Sequence, residues 1–435
     1  MELLLLGIFA AFLLLCVFAG ISIIYAMLLG LVLFFSYGLR KKKTWKQMLI
    51  FSWQGVKTAK NILLTFILIG ILTAVWRASG SIAFIVYYAS GICAPSIMLL
   101  ASFLLCSLVS FLTGTSFGSA ATIGVICMTM AKSMNISEVL AGGAILSGIY
   151  FGDRCSPVST SALLVSELTK TDLYENLKAM AKSAVIPFII SSTIYWILGM
   201  RVHAGTMDRN IRMVLGDFYH LSLWTLIPVV IVLVFSAMRV SVKRTLAVSA
   251  LCGIVVAVLV QKFSLSEVPA LCISGFTSGN EQINRLMGGG GIISNLKVIA
   301  IVGISSCYSG IFKGTDFLNG IEKVIGKLNS KITPFGTTLL TSVITAAISC
   351  NQTLSIMLTS QLCGKNNPDK KKFALALENS AVVVAPLIPW SIASAVPLAA
   401  IGAPTMSVCA AFYLYLIPIC YFFTSNKWEK LFLQK

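Results

Sequence analysis

Gly148-Ile149-Tyr150-Phe151-Gly152-Asp153-Arg154-Cys155-Ser156-Pro157-Val158-Ser159-Thr160-Ser161 sets an acid and then a proline at the end of an apolar run. Proline disfavours helix at Ser156, so the run ends in an unwound segment that carries a carboxylate. Ionisable groups at membrane depth are costly and mark ion or proton routes. Asp153 is therefore the candidate titrating ligand, Ser156 and Ser159 are hydroxyl neighbours, and Gly152 and Pro157 are the helix breakers. The rest of the chain makes membrane depth the relevant setting. Of 435 residues, 57% are hydrophobic and 11% charged, with a mean hydropathy of +0.91; soluble domains carry roughly 25% charged residues. A water-soluble fold is excluded. At about 20 apolar residues per crossing, the length holds about 10–14 hydrophobic segments, and the expected fold is an all-α polytopic membrane protein.

Working outward, Ser110-Phe111-Leu112-Thr113-Gly114-Thr115-Ser116-Phe117-Gly118-Ser119 packs hydroxyls between two glycines. Glycine lets a chain turn or approach closely, and oxygens of Thr113, Thr115 and Ser116 can replace the water shell of a small hard cation. Gly114 and Gly118 are the expected breakers. Later, Ser349-Cys350-Asn351-Gln352-Thr353 puts amides and hydroxyls between apolar runs, followed by Glu378-Asn379-Ser380 and by Pro386-Leu387-Ile388-Pro389-Trp390. Asn351, Gln352, Thr353, Glu378, Asn379 and Ser380 join the candidate ion or substrate ligands, with Pro386 and Pro389 as breakers. Six residues after Lys372, Glu378 reads equally as a surface residue or a buried one.

These landmarks repeat. Gly70 aligns with Gly303 at an offset of 233, Pro95 with Pro334 at 239, the break at Gly114 with that at Cys350 at 236, and Pro157 with Pro389 at 232. Short interrupted segments in matched places point to a carrier's binding site, and two inverted repeats with broken or re-entrant helices are the expected plan. The division is then 1–60 for N-terminal membrane segments and a basic cytoplasmic connection over 40–60, 61–200 for the first repeat, 201–290 for connecting segments, 291–425 for the second repeat and 426–435 for a tail. The run from Leu3 to Tyr37 lacks a basic start and is not expected to be a cleaved signal peptide; it is two short helices or one broken one.

The net charge of +18 gathers in connections such as Arg40–Lys46, Arg239–Arg244 and Lys365–Lys372. That is a positive-inside pattern and not a nucleic-acid surface. Twelve scattered cysteines read as small hydrophobes, and His203 and His220 have no metal-ligand spacing, so no structural metal is expected. No HExxH, GxSxG or paired intramembrane aspartates are present, and an enzyme is not expected. Gly288–Gly291 lacks the following Lys-Ser/Thr of a phosphate loop and reads as a flexible lead-in to a helix from Ile292, and Arg201–His220 as a solvated loop.

The Gly114–Val125 stretch, Phe151-Gly152-Asp153-Arg154-Cys155-Ser156-Pro157 and Pro386-Leu387-Ile388-Pro389-Trp390 resemble the NhaC-type sodium/proton antiporter family, continuously from about Trp53 to Ala403. The resemblance implies a multi-pass secondary carrier of the bacterial cytoplasmic membrane. Its partners would be the bilayer, Na⁺ and H⁺, with no other cofactor and with a homodimer allowed. It implies exchange of Na⁺ for H⁺ by alternating access; the alternative is a Na⁺- or H⁺-coupled amino-acid or organic-acid carrier. The chain departs from the pattern twice, with Cys350-Asn351-Gln352 where Gly-Asp-Gln is usual and Glu378-Asn379 where Glu-Asp is usual. Each departure removes an acid and favours a polar organic solute.

Overall fold

The computed structural model describes residues 2–19, 21–89, 94–201, 209–238, 240–315, 317, 333–364 and 367–432. These are helical throughout, with one isolated bridge between Phe276 and Gly289. His203, Arg239, Lys365 and the last residues of the expected tail lie outside them.

Helices α1 (Glu2–Phe18) and α2 (Ile23–Arg40) form the N-terminal pair, followed by α3 (Trp45–Ala78). The basic stretch 40–60 is thus no connection: α3 starts at Trp45 behind a Thr44 capping box with Gln47. Met48, Gly55 and Ala59 form a buried stripe at helical spacing while Lys46, Lys57 and Lys60 stay exposed. The stripe meets α10 (Leu296–Thr315) at very close range, because a Cβ on Gly55 would lie 1.9 Å from the Ser306 carbonyl and one on Gly310 2.0 Å from that of Phe51.

The first half continues with α4 (Met98–Thr113), α5 (Val125–Ser133), α6 (Glu138–Cys155), α7 (Thr160–Thr169) and α8 (Leu173–Arg201). After α9 (Val242–Leu259) and α10, the second half has α11 (Pro334–Ser349), α12 (Gln352–Gly364), α13 (Lys370–Glu378), α14 (Ile392–Ile401) and α15 (Phe412–Phe432). Six helices among the described residues are long and apolar enough to cross a bilayer, and Lys370–Leu387 with Ile392–Ile401, bent by 54° at the break between them, count as a seventh where the pair is one span. The remaining hydrophobic segments are shorter helices of 10–17 residues. The expected Arg201–His220 loop contains a helix, Arg209–Phe218. The glycine run is no flexible lead-in either. Gly289, Gly290 and Gly291 all take positive φ, a Cβ on Gly290 would lie 2.5 Å from the Ala74 nitrogen, and Arg77 donates to the Gly288 carbonyl.

The two halves share local features at their helix ends. Thr113-Gly114 and Ser349-Cys350 each end a helix with a left-handed residue, at φ 65 and 52. Ser159 caps α7 and Ser391 caps α14, and the two helices end on left-handed Lys170 and Gly402. Helices α6 and α13 begin beside different partners. Glu138, starting α6, pairs with Lys132, whose ammonium lies 3.4 Å from the Gly402 carbonyl. Lys371, starting α13 at the far end of the same bent span, pairs with Glu175 in the first turn of α8.

Small residues carry the α4–α6 contact, as expected where helices associate in lipid through close packing. A Cβ on Gly152 would stand 2.2 Å from the Phe111 nitrogen and one on Gly148 2.5 Å from the Phe103 carbonyl. Gly152→Ala is expected to force α4 and α6 apart and to cost about 1–3 kcal/mol, read as a lowered midpoint in thermal unfolding of detergent-solubilised protein. Gly303→Ala, where an added Cβ meets nothing within 4 Å, is the control and leaves the midpoint unchanged or higher.

Candidate functional site: two helix breaks meeting at a buried acid

Each break is written in the local sequence. Gly114 takes the left-handed conformation that glycine adopts at least cost, and its Cα faces Val158 so closely that a Cβ would lie 2.6 Å from that side chain. Thr115 then caps a new short helix by accepting from the Gly118 nitrogen at 2.9 Å, and one wide π turn follows over Ala120–Gly124; such turns are frequent at functional sites. In the second half Cys350 holds the left-handed position despite its side chain. Its carbonyl accepts from the Ile392 nitrogen at 2.8 Å, so this break is tied to the Pro389 break. Asn351 repeats the role of Thr115, accepting from the Leu354 nitrogen at 3.3 Å.

Asp153 ends α6 beside the Ser156-Pro157 turn and is 4% exposed. Its carboxylate accepts from Ser159 Oγ at 3.5 Å and from Gln352 Nε2 at 3.3 Å, while its backbone carbonyl accepts from Ser161 Oγ at 2.9 Å. The Gln352 contact joins the halves, and the same Nε2 also donates to the Val382 carbonyl at 2.9 Å. Both bonds to the carboxylate are long beside the roughly 2.7–2.9 Å of a strong charge-assisted bond. A carboxylate offers about four acceptor positions, so Asp153 keeps capacity for a cation or a proton.

Arg154, read from the sequence only as Asp153's neighbour, is fully buried. Its guanidinium donates to the Glu378 carbonyl at 3.3 Å, the Met180 carbonyl at 3.3 Å, Ser183 Oγ at 2.8 Å and Asn379 Oδ1 at 2.5 Å. The signal was an arginine directly after the acid at the end of an apolar run, but its partners are far away in sequence. Glu378 is also fully buried, which settles its open reading. Neither carboxylate oxygen has a hydrogen-bond partner among the described residues, and the same holds for Asn379 Nδ2. Helix α13 ends here, and Ser380 at φ −126, ψ −84 separates it from the short helix Ala381–Val384.

The other candidates divide. Ser159, Gln352, Glu378 and Asn379 gather around the Asp153-Arg154 pair. Thr113 bonds Ser119 Oγ at 3.0 Å, Ser156 accepts from the Val158 nitrogen and Ser380 donates to the Ala376 carbonyl, so these hold the breaks in shape. Ser116 is buried in the first break. Thr353 does not belong: it is exposed, because one residue beyond Gln352 on a helix turns about 100° away. Gly118, Gly152 and Pro157 lie at the first-half breaks, and Pro386 and Pro389 flank the bend of the seventh span.

The arrangement provides a buried carboxylate, a second unpaired buried acid, a fixed cation and unwound backbone, all between two halves. The profile of the Na⁺/H⁺ antiporter family matches residues 148–424, which takes in Asp153, Arg154, Gln352, Glu378 and Asn379. The chain belongs to that family. Among its relatives, an uncharacterised Na⁺/H⁺ antiporter of Haemophilus influenzae is 30% identical over 370 residues, 81% of this chain and 79% of the relative. A malate-2H⁺/Na⁺-lactate antiporter of Bacillus subtilis is 26% identical over 92% of this chain and 86% of its own length. The Na⁺/H⁺ antiporter NhaC of Alkalihalophilus pseudofirmus is 27% identical over 84% and 81%. In this antiporter-family chain, Gln352→Ala is expected to raise the Na⁺ concentration for half-maximal exchange by about tenfold, the scale of one lost hydrogen bond to a charged group. Exchange rates across a Na⁺ series in proteoliposomes measure it.

Proposed function

We propose that this multi-pass membrane protein exchanges Na⁺ for H⁺ by alternating access in the bacterial cytoplasmic membrane, with Asp153 as the shared ligand. The observation that carries the reading is the Asp153 carboxylate, buried in a helix break of one half and touched by Gln352 from a break in the other. One site that takes either ion needs a group whose ionised form binds Na⁺ and whose protonated form carries H⁺. Hydroxyl and amide oxygens at the breaks would complete the Na⁺ shell, with no cofactor besides the ions. The features shared by the helix ends of the two halves support two repeats, taken as inverted, with Arg40–Lys43 and Lys370–Lys372 on the cytoplasmic side. The protein acts as a carrier and not as an enzyme. Addition of Na⁺ to proteoliposomes holding an imposed ΔpH tests this: dissipation with no solute present is expected, and a ΔpH that stays intact sinks it.

A second reading, coupling of these ions to an organic acid or amino acid, is favoured by one observation. The amides of Asn351 and Asn379 stand where the family resemblance leads one to expect acids, and Asn379 accepts from the buried Arg154. The malate and lactate named for the Bacillus subtilis relative agree with it. Uptake of a labelled solute that follows an imposed Na⁺ gradient distinguishes it from exchange of the ions alone.

A further inference from the structure

A cavity of about 280 Å³ opens at the Gly402 end of the bent span, bordered by the ends of α5 and α14, by α3 and by the glycine turn. Its charged lining is Arg77, Lys132 and Arg285, and no aspartate or glutamate lines it among the described residues. Thr73, Thr129 and Asn295 add neutral polar groups.

Two of the cations meet acids only outside the cavity. Lys132 lies 3.3 Å from Glu138 and Arg285 2.7 Å from Glu281, and those acids are 46% and 80% exposed. Exposed pairs of this kind neutralise little. Arg77 differs, because it has no acid partner among the described residues. It donates to the Gly288 carbonyl at 3.0 Å, and its Nε is buried without any acceptor. A buried charged donor left without an acid is costly, so the Arg77 charge stays uncompensated beside the cavity.

The chemistry of a compensating group follows from the lining. A mouth serving Na⁺ alone gains from acids or neutral oxygens, whereas three cations raise the energy of a cation there and lower that of an anion. The planar guanidinium fork matches a carboxylate through paired N–H donors. We propose that this cavity binds a small carboxylate anion, with Arg77 as its buried anchor and Lys132 and Arg285 drawing it in. The proposal stands on the cavity and holds whether or not Asp153 is the titrating ligand.

The test uses the full chain in nanodiscs of uncharged, zwitterionic lipid. Succinate, malate and lactate are titrated separately while thermal stability is read, since a ligand of the folded state raises it. Saturable stabilisation by at least one of them is expected, weakened at least about tenfold both in Arg77→Gln and in the exposed double variant Lys132→Gln/Arg285→Gln, and retained in Asp153→Asn. Should Arg77→Gln fail to fold, the double variant decides. The proposal is overturned if none of the three binds, if binding is as tight in the double variant, if Asp153→Asn abolishes it, or if inorganic phosphate or nanodiscs containing phosphatidylglycerol stabilise the protein and the carboxylates do not.

Discussion

Proteoliposomes carrying Asp153→Asn fail to dissipate an imposed ΔpH when Na⁺ is added, with the rate lowered at least about a hundredfold, the lower range for loss of a group that must give and take a proton. Asparagine is nearly the same size as aspartate and keeps an oxygen for Ser159, so the break around Ser156-Pro157 is expected to stay folded. What it loses is the change of charge. An amide cannot alternate between a cation-binding and a proton-carrying form, and the coupling between the ions disappears with it. Competition supplies the sign of the pH dependence in the unaltered protein. Protons and Na⁺ seek the same carboxylate, so the Na⁺ concentration for half-maximal exchange rises as pH falls, and thermal stabilisation by Na⁺ weakens in parallel. In Asp153→Asn that Na⁺ stabilisation is absent at every pH. A variant that exchanges at near-normal rates would remove Asp153 from the site and shift attention to Glu378, whose two unpaired oxygens make it the other buried acid.

Much of the frame around Asp153 was legible in sequence because it is local. Gly114 turns left-handed where a glycine sits between threonines, and Ser159 and Ser391 cap helices directly after proline breaks. What stayed illegible depends on partners distant in the chain. Arg154 is neutral to hydropathy arguments until Met180, Ser183, Glu378 and Asn379 are placed around it. Whether Glu378 faces solvent or interior follows from the neighbours of α13, which its distance from Lys372 does not encode. Adjacency groups Thr353 with Gln352 in sequence, although adjacent residues on a helix point apart. The charge of the stretch 40–60 reads as a connection, while the Met48, Gly55 and Ala59 stripe records a helix face pressed on α10.

Loss of the Arg154 charge is expected to have the largest effect on the fold itself. Arg154→Gln is predicted to destabilise the protein by about 3–5 kcal/mol, the range for removing one partner from a buried charged network. It removes the guanidinium's bonds to the Glu378 and Met180 carbonyls, Ser183 Oγ and Asn379 Oδ1, and leaves Asn379 Oδ1 with a long 3.5 Å bond from Ser183 Oγ. It also takes away the cation that interacts with the buried Glu378 carboxylate. Arg154→Lys restores the charge but cannot reproduce a planar set of donors to several acceptors, so it recovers only part of the loss. The second substitution that separates geometry from charge is Glu378→Gln. If the arginine offsets a buried negative charge, Arg154→Gln/Glu378→Gln is more stable than Arg154→Gln alone by at least about 1 kcal/mol, a coupling of the size that neighbouring charged groups show in double-mutant cycles. Thermal unfolding of the three variants in detergent measures it. Strict additivity would mean that Arg154 serves the backbone of α13 and not its carboxylate. A recovered double variant would mean that the fixed arginine balances one of the two acids, leaving a single negative charge for Na⁺ or H⁺ to occupy in turn.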